Sequence, residues 1–481
     1  MPNVWKNRAR IRSGAMDNEA TSHAIISPAD GHVVAVRALA DRTAIDRAFD
    51  RAVAAQRLWR GVSLEERMAI CSRFVDVFVA RGEALAAELT AQMGRPVSQT
   101  PGEIRGFAER SRAMIALAER ALAPVRPEPT PGFERFIRRE PLGVIYVIGA
   151  WNYPYLITVN SVVPALLAGN AVVLKQAPQT MLCAERFAEA FAEAGLPEGV
   201  FQFLHLSNAD AESVIGDERV DFIAFTGSVA TGHRVVQAAS RRFAGVGLEL
   251  GGKDPAYVRR DADLDHAVAN LVDGAFFNSG QSCCAIERIY VDAAIYGTFV
   301  ERFAMLTRQY RLGNPLDAGT TLGPLVNAKA AGFVRSQIAQ ATMQGAQALI
   351  DEATFPASAP GTPYLAPQVL IDVDHGMDVM RHESFGPVVG IMKVTSDDEA
   401  LGLMNDSPYG LTASLWTRDI DAARALGDAI EAGTVFMNRC DYLDPLLAWV
   451  GTKESGRGCT LSRIGFEHLT RPKSFHLRTA I

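Results

Sequence analysis

Apolar runs of strand length alternate with helix-like segments from Gly143 to Ser228. The predicted strands are Gly143–Ala150, Ala171–Leu174, Val200–Leu206 and Val220–Thr226. The predicted helices are Met181–Gly195, Ala209–Gly216 and Ala230–Arg242. Strands that are apolar at nearly every position are buried on both faces, as in a parallel sheet covered by helices. The pattern therefore predicts an α/β fold with a doubly wound parallel sheet, in which ligands bind beyond the carboxyl ends of the strands.

A second region of alternating strands and helices runs from Leu250 to Gly433. It contains the predicted helices Asp265–Asn278 and Ile295–Arg311, the predicted strand Arg288–Val291 and a predicted loop at Thr354–Pro363. A chain of 481 residues has room for two or three domains. The sequence contains no internal repeat or long charge run, which excludes a repeat array.

The stretch Pro141–Leu174 has no charged residue and is long enough to span a bilayer. Glycine, proline and asparagine interrupt it at Gly149, Asn152, Pro154, Asn160, Pro164 and Asn170. We therefore interpret it as a buried strand, a helix and a second buried strand, with no membrane association.

Composition and charge narrow the function classes. The chain is 48% hydrophobic and 21% charged, with a net charge of −6, so it carries no basic excess that would attract nucleic acid or anionic lipid. Six cysteines without a CxxC pair and nine histidines without an HExxH motif predict free thiols and no metal site. We expect a cytoplasmic protein. The residues before Met16 have no apolar run typical of a secretory signal and are either an extension or an upstream start.

Four motifs carry chemistry, and each also has a plain structural explanation. Phe225–Gly232 (FTGSVATG) has two glycines between a predicted strand and helix, where backbone N–H groups bind phosphate, although an ordinary βα turn looks the same. Cys283 follows a Gly-Gln turn and is either an exposed nucleophile or a small buried hydrophobic residue. Glu249 precedes two glycines and is either a general base or a solvated carboxylate. Asn152 follows a strand and either donates to an oxyanion or caps the next helix.

These motifs occur together and in one order, and in that order the chain resembles the NAD(P)-dependent aldehyde dehydrogenases over nearly its whole length. The matching segments are Ser27–Gly31, Trp151-Asn152, Pro164-Ala165, Ala168–Asn170, Lys175, Phe225–Ser228, Glu249–Lys253, Gly280–Cys283, Glu383–Pro387, Gly451–Gly456 and Phe475–Arg478. The resemblance implies two Rossmann-like doubly wound domains and a small β oligomerisation arm. It places the NAD(P)-binding domain at residues 1–123 and 142–249, the catalytic domain at 250–466 and the arm at 124–141 and 467–481. Members of this family are commonly homodimers or homotetramers.

The resemblance also implies an activity, the oxidation of an aldehyde to a carboxylic acid. Cys283 matches the nucleophile, which forms a thiohemiacetal and then a thioester. Asn152 matches the oxyanion donor, and Glu249 matches the base that activates water for hydrolysis. An acyl-transferring relative that uses coenzyme A, or an inactive NAD(P)-binding homologue, is the alternative. Relatives that transfer to coenzyme A usually lack this glutamate.

Cofactor and substrate contacts follow from the same resemblance. Lys175 matches the ligand of the adenosine ribose, and Gly227 and Ser228 match the pyrophosphate turn. Glu383 and Phe385 match the pair that holds the nicotinamide ribose and ring, and Trp151 is a further expected cofactor contact.

Two departures from the family pattern leave the cofactor preference and the substrate open. Pro178 stands where NAD-preferring members usually carry a glutamate, so no carboxylate there repels a 2′-phosphate, but no Arg or Lys lies beside it to bind one. NAD is therefore slightly favoured, and NADP stays possible. Asn160 replaces a tryptophan of many broad-range members, and with Tyr153 and Tyr442, in the segment Cys440–Asp444, it predicts a pocket for a small or polar aldehyde.

Overall fold

The computed structural model describes residues 21–440 and 442–480. The question of a start at Met16 lies outside these residues, as does Asp441. The helices are α1 Arg42–Trp59, α2 Leu64–Ala80, α3 Gly82–Met93, α4 Thr100–Leu122, α5 Pro154–Leu167, α6 Leu182–Glu193, α7 Asn208–Ile215, α8 Val229–Ala239, α9 Leu264–Phe276, α10 Tyr296–Thr307, α11 Ala328–Met343, α12 Asp378–Arg381, α13 Asp397–Asn405 and α14 Ile420–Ala429.

The strands are shorter and lie mainly in two sheets. They are β1 Ser22–Ile26, β2 Val33–Ala38, β3 Phe133–Pro141, β4 Val144–Ile148, β5 Ala171–Lys175, β6 Phe201–Phe203, β7 Phe222–Thr226, β8 Gly245–Glu249, β9 Asp254–Val258, β10 Ile286–Asp292, β11 Gln347–Ala348, β12 Gln368–Ile371, β13 Val388–Val394, β14 Tyr409–Gly410, β15 Thr412–Trp416, β16 Thr434–Met437, β17 Thr452–Lys453, β18 Gly456–Arg457 and β19 Thr470–Arg478.

The first sheet has the strand order β18-β8-β7-β4-β5-β6, and all neighbours are parallel except β18 and β8. Successive residues of β4 enter different cores. Ile145 and Val147 belong to a hydrophobic cluster with residues of α2, α4, α5 and α6, whereas Tyr146 belongs to one with residues of α1, α7 and α8. Helices therefore cover both faces, which confirms the predicted doubly wound parallel sheet.

The second sheet has the order β11-β12-β13-β10-β9-β15-β16, with only the edge strand β11 antiparallel. Every residue of β9 and β10 is buried, because helices pack on both faces here too. The loop that carries Cys283 connects α9 to β10.

Strands β3 and β19 pair with each other as a separate antiparallel ribbon. Phe136 lies opposite Phe475, and their rings stack with centroids 4.5 Å apart. The ribbon corresponds to the predicted arm, while its role in assembly stays a prediction.

The uncharged stretch forms β4, α5 and β5, as predicted. Within the described part of the chain, no helix is long and apolar enough to cross a membrane. Several boundaries differ from the prediction. The helices α8 and α10 end at Ala239 and Thr307, before the predicted Arg242 and Arg311. Two further differences have a structural reason. The strand at Val200–Leu206 is reduced to β6 because it is an edge strand that pairs on one side only. The helix predicted to reach Asn278 ends at Phe276, because the chain turns into left-handed conformations before Cys283.

Candidate active site

Two cavities meet at Cys283. One is a cleft of about 570 Å³ at the carboxyl ends of the first sheet's strands. The other, of about 350 Å³, lies between α4, α5 and the loop before β10. Both cavities are lined by Ile157, Thr226, Glu249 and Cys283. A thiol and a carboxylate therefore stand at the junction of two spaces, each large enough to hold a small ligand.

The loop before Cys283 is fastened by backbone geometry and one amide side chain. Gly280 has a φ of 72°, and a Cβ there would collide with the carbonyl oxygen of Gly386. The Gln281 amide donates to the Asn278 carbonyl (3.0 Å) and accepts from the Val326 N–H (2.8 Å). This explains why a Gly-Gln turn precedes the cysteine, since the glycine permits the close approach and the glutamine holds the loop.

Asn152 follows β4 and is 4% exposed. Its Nδ2 donates to the Gln281 carbonyl at 3.2 Å, which ties it to the cysteine loop. The second N–H of this amide has no partner among the described residues. The carbonyl of Asn152 accepts from the buried guanidinium of Arg95, which is paired with Glu103. The amide is thus held next to the thiol loop with a donor to spare.

Glu249 is the last residue of β8. Its carboxylate accepts from the hydroxyl of Thr460 and, at 3.3 Å, from that of Thr226. Burial raises the pKa of Glu249, while the two hydroxyls and the Arg110 cation oppose that shift. The result is a carboxyl group with enhanced basicity in a sheltered position, which is what a general base requires.

The larger cleft contains the residues expected to bind the nucleotide. Lys175 ends β5, is 5% exposed and has no acidic partner among the described residues, and burial lowers its pKa to about 8. The N–H of Gly227 donates to the Glu249 carbonyl (3.0 Å), and a Cβ on Gly227 would lie 2.6 Å from the Phe225 ring. Ser228 caps α8, whose first N–H groups border the cleft. The unpaired ammonium and the helix N-terminus fit a ligand with hydroxyls and phosphates.

Across the same cleft, Trp151 and Phe385 meet edge to face with ring centroids 5.6 Å apart. Glu383 accepts from the N–H of Gly252 at 3.1 Å, and burial, helped by the nearby carboxylate of Glu287, raises its pKa to about 8. The turn that contains Glu383 and Phe385 is held by Glu287, which accepts from the N–H of Phe385 (2.9 Å).

The smaller cavity contains the three residues predicted for the substrate pocket. The ring of Tyr153 lies under the Arg95 guanidinium at 4.2 Å. Asn160 is 2% exposed and accepts from Arg110 at 3.3 Å. Tyr442 donates to Glu109 at 2.8 Å. The structure therefore brings together every residue that the sequence singled out, in two adjoining cavities.

Comparison with known proteins agrees with this geometry. The model of the aldehyde dehydrogenase family matches residues 15–475. The chain belongs to this family. It is 34% identical to the succinate semialdehyde dehydrogenase [NAD(P)+] Sad of Escherichia coli, over 92% of this chain and 96% of that protein. It is also 34% identical to a betaine aldehyde dehydrogenase of Agrobacterium fabrum, over 96% of this chain and 94% of the relative.

Solved aldehyde dehydrogenases share the whole fold. The betaine aldehyde dehydrogenase of Staphylococcus aureus in complex with NAD+ superposes with a TM-score of 0.90 at 28% identity, over 95% of this chain and 92% of that one. A structure described as giving insights into cofactor and substrate selection by Gox0499 reaches a TM-score of 0.91 at 33% identity, covering 95% of this chain and 100% of that chain. These matches confirm the predicted family and architecture.

Sequence reasoning missed three residues of this aldehyde dehydrogenase site. Thr460 holds Glu249, Glu287 holds the Phe385 turn, and Arg110 lies in the smaller cavity. Only Arg110 had a readable signal: it shares a helix face with Phe107 and Met114, at spacings of three and four residues, and both of those side chains are buried. The hydrogen bonds of Thr460 and Glu287 join residues far apart in sequence, so no local pattern marks them.

Proposed function

We propose that this aldehyde dehydrogenase oxidises an aldehyde to the free carboxylic acid with NAD(P)+. The observation that carries the proposal is the junction of the two cavities. There the thiol of Cys283 and the carboxylate of Glu249 border both spaces, and the Asn152 amide lies against the cysteine loop. A nucleophile, a base and an oxyanion donor around one point are the requirements of acyl chemistry.

The first step is addition of the Cys283 thiolate to the aldehyde carbon. The C–S bond forms, and the carbonyl electron pair moves to oxygen. The oxyanion accepts from the second N–H of the Asn152 amide and from the backbone N–H of Cys283. When bound, NAD(P)+ supplies the acceptor for the hydride that leaves this carbon, and Cys283 then carries a thioester.

The second step is hydrolysis. Glu249 takes a proton from a water molecule while the oxygen of that water attacks the thioester carbon. The C–S bond then breaks, which gives the carboxylic acid and the Cys283 thiolate. Burial favours the proton on Glu249 after the transfer, while the hydroxyls of Thr226 and Thr460 steady the ionised form before it. This carboxylate supports release of a free acid over transfer to coenzyme A.

NAD+ is the proposed cofactor, with NADP+ as the alternative. Lys175 would bind the adenosine ribose, Gly227 and Ser228 the pyrophosphate, and Trp151, Glu383 and Phe385 the nicotinamide end. Pro178, which lines the cleft, leaves no carboxylate to repel a 2′-phosphate. Arg234 also lines the cleft, but it is paired with Glu212, so a 2′-phosphate would have to compete for it.

Assembly and location are also proposals. The β3–β19 ribbon has exposed residues along most of β19, including Leu477, which suits pairing with a second copy in a homodimer or homotetramer. Six free cysteines suit the reducing cytoplasm. Sedimentation of the full chain would test the assembly.

The experiment for the activity measures reduced nicotinamide formation with a panel of aldehydes, NAD+ or NADP+, and with or without coenzyme A. For the aldehydes that are oxidised, we expect the product to be the free acid with or without coenzyme A, and no acyl-coenzyme A. The Cys283→Ser variant should be inactive, while Cys284→Ser, one residue away, serves as the matched control. A fully active Cys283→Ser enzyme would show that the nucleophile is misassigned.

A further inference from the structure

Arg110 is a buried cation in the substrate cavity. It lies on α4 and is 6% exposed. Its Nη1 donates to the Leu156 carbonyl (3.0 Å) and to the side-chain oxygen of Asn160 (3.3 Å). Neither contact is anionic, and no carboxylate lies within ion-pair distance of Arg110 among the described residues. A guanidinium removed from water without a counter-ion is unfavourable unless a ligand supplies the negative charge.

The other charged groups of the cavity make no ion pair with Arg110 among the described residues. Arg95 and Glu103 form their own buried ion pair. Arg105 and Glu109, of opposite charge, are exposed residues one helical turn apart on α4. Glu249 is the remaining carboxyl group, and it acts on Arg110 only through space, because its oxygens accept from the hydroxyls of Thr226 and Thr460. Among the described residues, no carboxylate of the cavity therefore contacts the Arg110 guanidinium.

A second polar group beside Arg110 also lacks a partner. The Nδ2 of Asn160 is buried and makes no hydrogen bond, while the oxygen of the same amide faces Arg110. The two contacts use both N–H bonds of Nη1, and the three N–H bonds of Arg110 on Nε and Nη2 have no protein partner among the described residues. Unused donors on two adjacent side chains suit a planar anion with two oxygens.

We propose that Arg110 and Asn160 bind the carboxylate of the substrate, which makes this enzyme specific for aldehydes that carry a carboxylate at their other end. The inference rests on the proposed function and names its substrate class. The guanidinium holds the carboxylate while the aldehyde carbon reaches Cys283 in the same cavity. An aldehyde with a quaternary ammonium group would meet the Arg110 charge and be repelled.

The test compares kcat/KM for 4-oxobutanoate and 5-oxopentanoate with that for their neutral methyl esters. For the better of the two anions, we expect the kcat/KM of the wild type to exceed that for the corresponding methyl ester roughly 10- to 150-fold. This is the factor that one hydrogen bond to a charged group supplies. In Arg110→Met that ratio should fall towards one, and Arg110→Lys should keep part of it. Arg112→Met removes an exposed cation from the same helix and should keep the full ratio.

Binding gives a readout that does not depend on turnover. Trp449 lines the cavity, so succinate or glutarate should change its fluorescence in Cys283→Ser and not in the double variant that also carries Arg110→Met. Circular dichroism would show whether each variant is folded, and Arg110→Lys covers the case in which Arg110→Met is not.

Three results would overturn the inference. In the first, the wild type oxidises the methyl esters as well as the anions. In the second, Arg110→Met lowers kcat/KM for both kinds of aldehyde by the same factor, which would assign Arg110 to the Cys283 thiolate instead. Both leave aldehyde oxidation itself intact. In the third, no aldehyde is oxidised, and the proposed function fails as well.

Discussion

The ring of Trp151, which follows β4, meets the ring of Phe385 at an interplanar angle of 74° across the cofactor cleft. Phe385 itself has a left-handed backbone conformation with a φ of 51°, and the Glu287 carboxylate accepts a hydrogen bond from its N–H. The contact joins the nucleotide-binding sheet to a turn from the second half of the chain. The contact between the two rings therefore fixes their positions relative to each other in the cleft where we propose that the nicotinamide binds.

Replacing Phe385 by alanine should weaken cofactor binding. An edge-to-face contact of the Phe385 ring with the nicotinamide ring would contribute about 0.5–1.5 kcal/mol, so we expect KM for NAD+ to rise about 2- to 12-fold. Phe385→Tyr keeps the ring and is the control. Steady-state kinetics with varied NAD+ measure the change, and an unaltered KM in Phe385→Ala would remove this residue from the cofactor site.

Glu249→Gln should separate the two halves of the reaction. Without the base, thioester hydrolysis should slow about 100- to 10,000-fold, while formation of the thioester continues. Rapid mixing should then show one equivalent of reduced nicotinamide per active site, followed by almost no turnover. The absence of this burst would mean that Glu249 acts before the thioester forms.

The pH dependence of hydrolysis follows from the same carboxylate. A general base works when ionised, and burial raises the pKa of Glu249 above its ordinary value. The hydrolysis rate should therefore increase as the pH rises through that elevated pKa, and the residual rate of Glu249→Gln should not show this step.

Asn152→Ala should lower kcat/KM about 100- to 1,000-fold, because it removes one of the two donors to the oxyanion. Asn152→Ser is not an equivalent, since a hydroxyl is too short to reach the same point. A change in thermal stability alone, without this kinetic loss, would indicate that the contact of Asn152 with Gln281 is its only role.

Cofactor affinity should depend on pH through Lys175. Because burial lowers the pKa of its ammonium to about 8, Lys175 loses its charge as the pH rises through that value. The neutral amine is a weaker donor to ribose oxygens, so Kd for NAD+ should increase above about pH 8. Lys175→Arg keeps its charge throughout, and its Kd should stay nearly constant from about pH 7 to 9.5. Titration by fluorescence measures both proteins.

Arg95 should matter for stability as well as for the site. Arg95→Met leaves Glu103 buried without its partner, which typically costs about 3–5 kcal/mol of the free energy of unfolding. Arg95 also donates to the Asn152 carbonyl, so the Asn152 backbone should shift when this donor is removed. The exposed Arg112–Asp76 pair is the comparison, and Arg112→Met should cost less than about 1 kcal/mol. Chemical denaturation monitors both variants.

The strands β4, β5 and β7 of the first sheet could be predicted because burial on both faces leaves them apolar at nearly every position, whereas β8 and β18, which are mostly not buried, could not. The end of α9 could not, since the left-handed residues Asn278 and Ser279 depend on a hydrogen bond between Gln281 and Val326, which lie 45 positions apart. The order and spacing of the motifs were enough to predict that Asn152 and Glu249 lie near Cys283. The helix face that Arg110 shares with Phe107 and Met114 indicates that Arg110 is buried, but the charge of the smaller cavity was not readable, because the absence of a carboxylate in contact with Arg110 depends on residues far apart in sequence.

Gly280 lies so close to the Gly386 carbonyl that no other residue fits at this position. Any side chain at Gly280 would push the thiol out of line without altering a single reacting group. Replacing Gly280 by each other amino acid should therefore abolish activity as fully as replacing the nucleophile. A prediction of harmful substitutions that considers only the reacting residues would not identify Gly280.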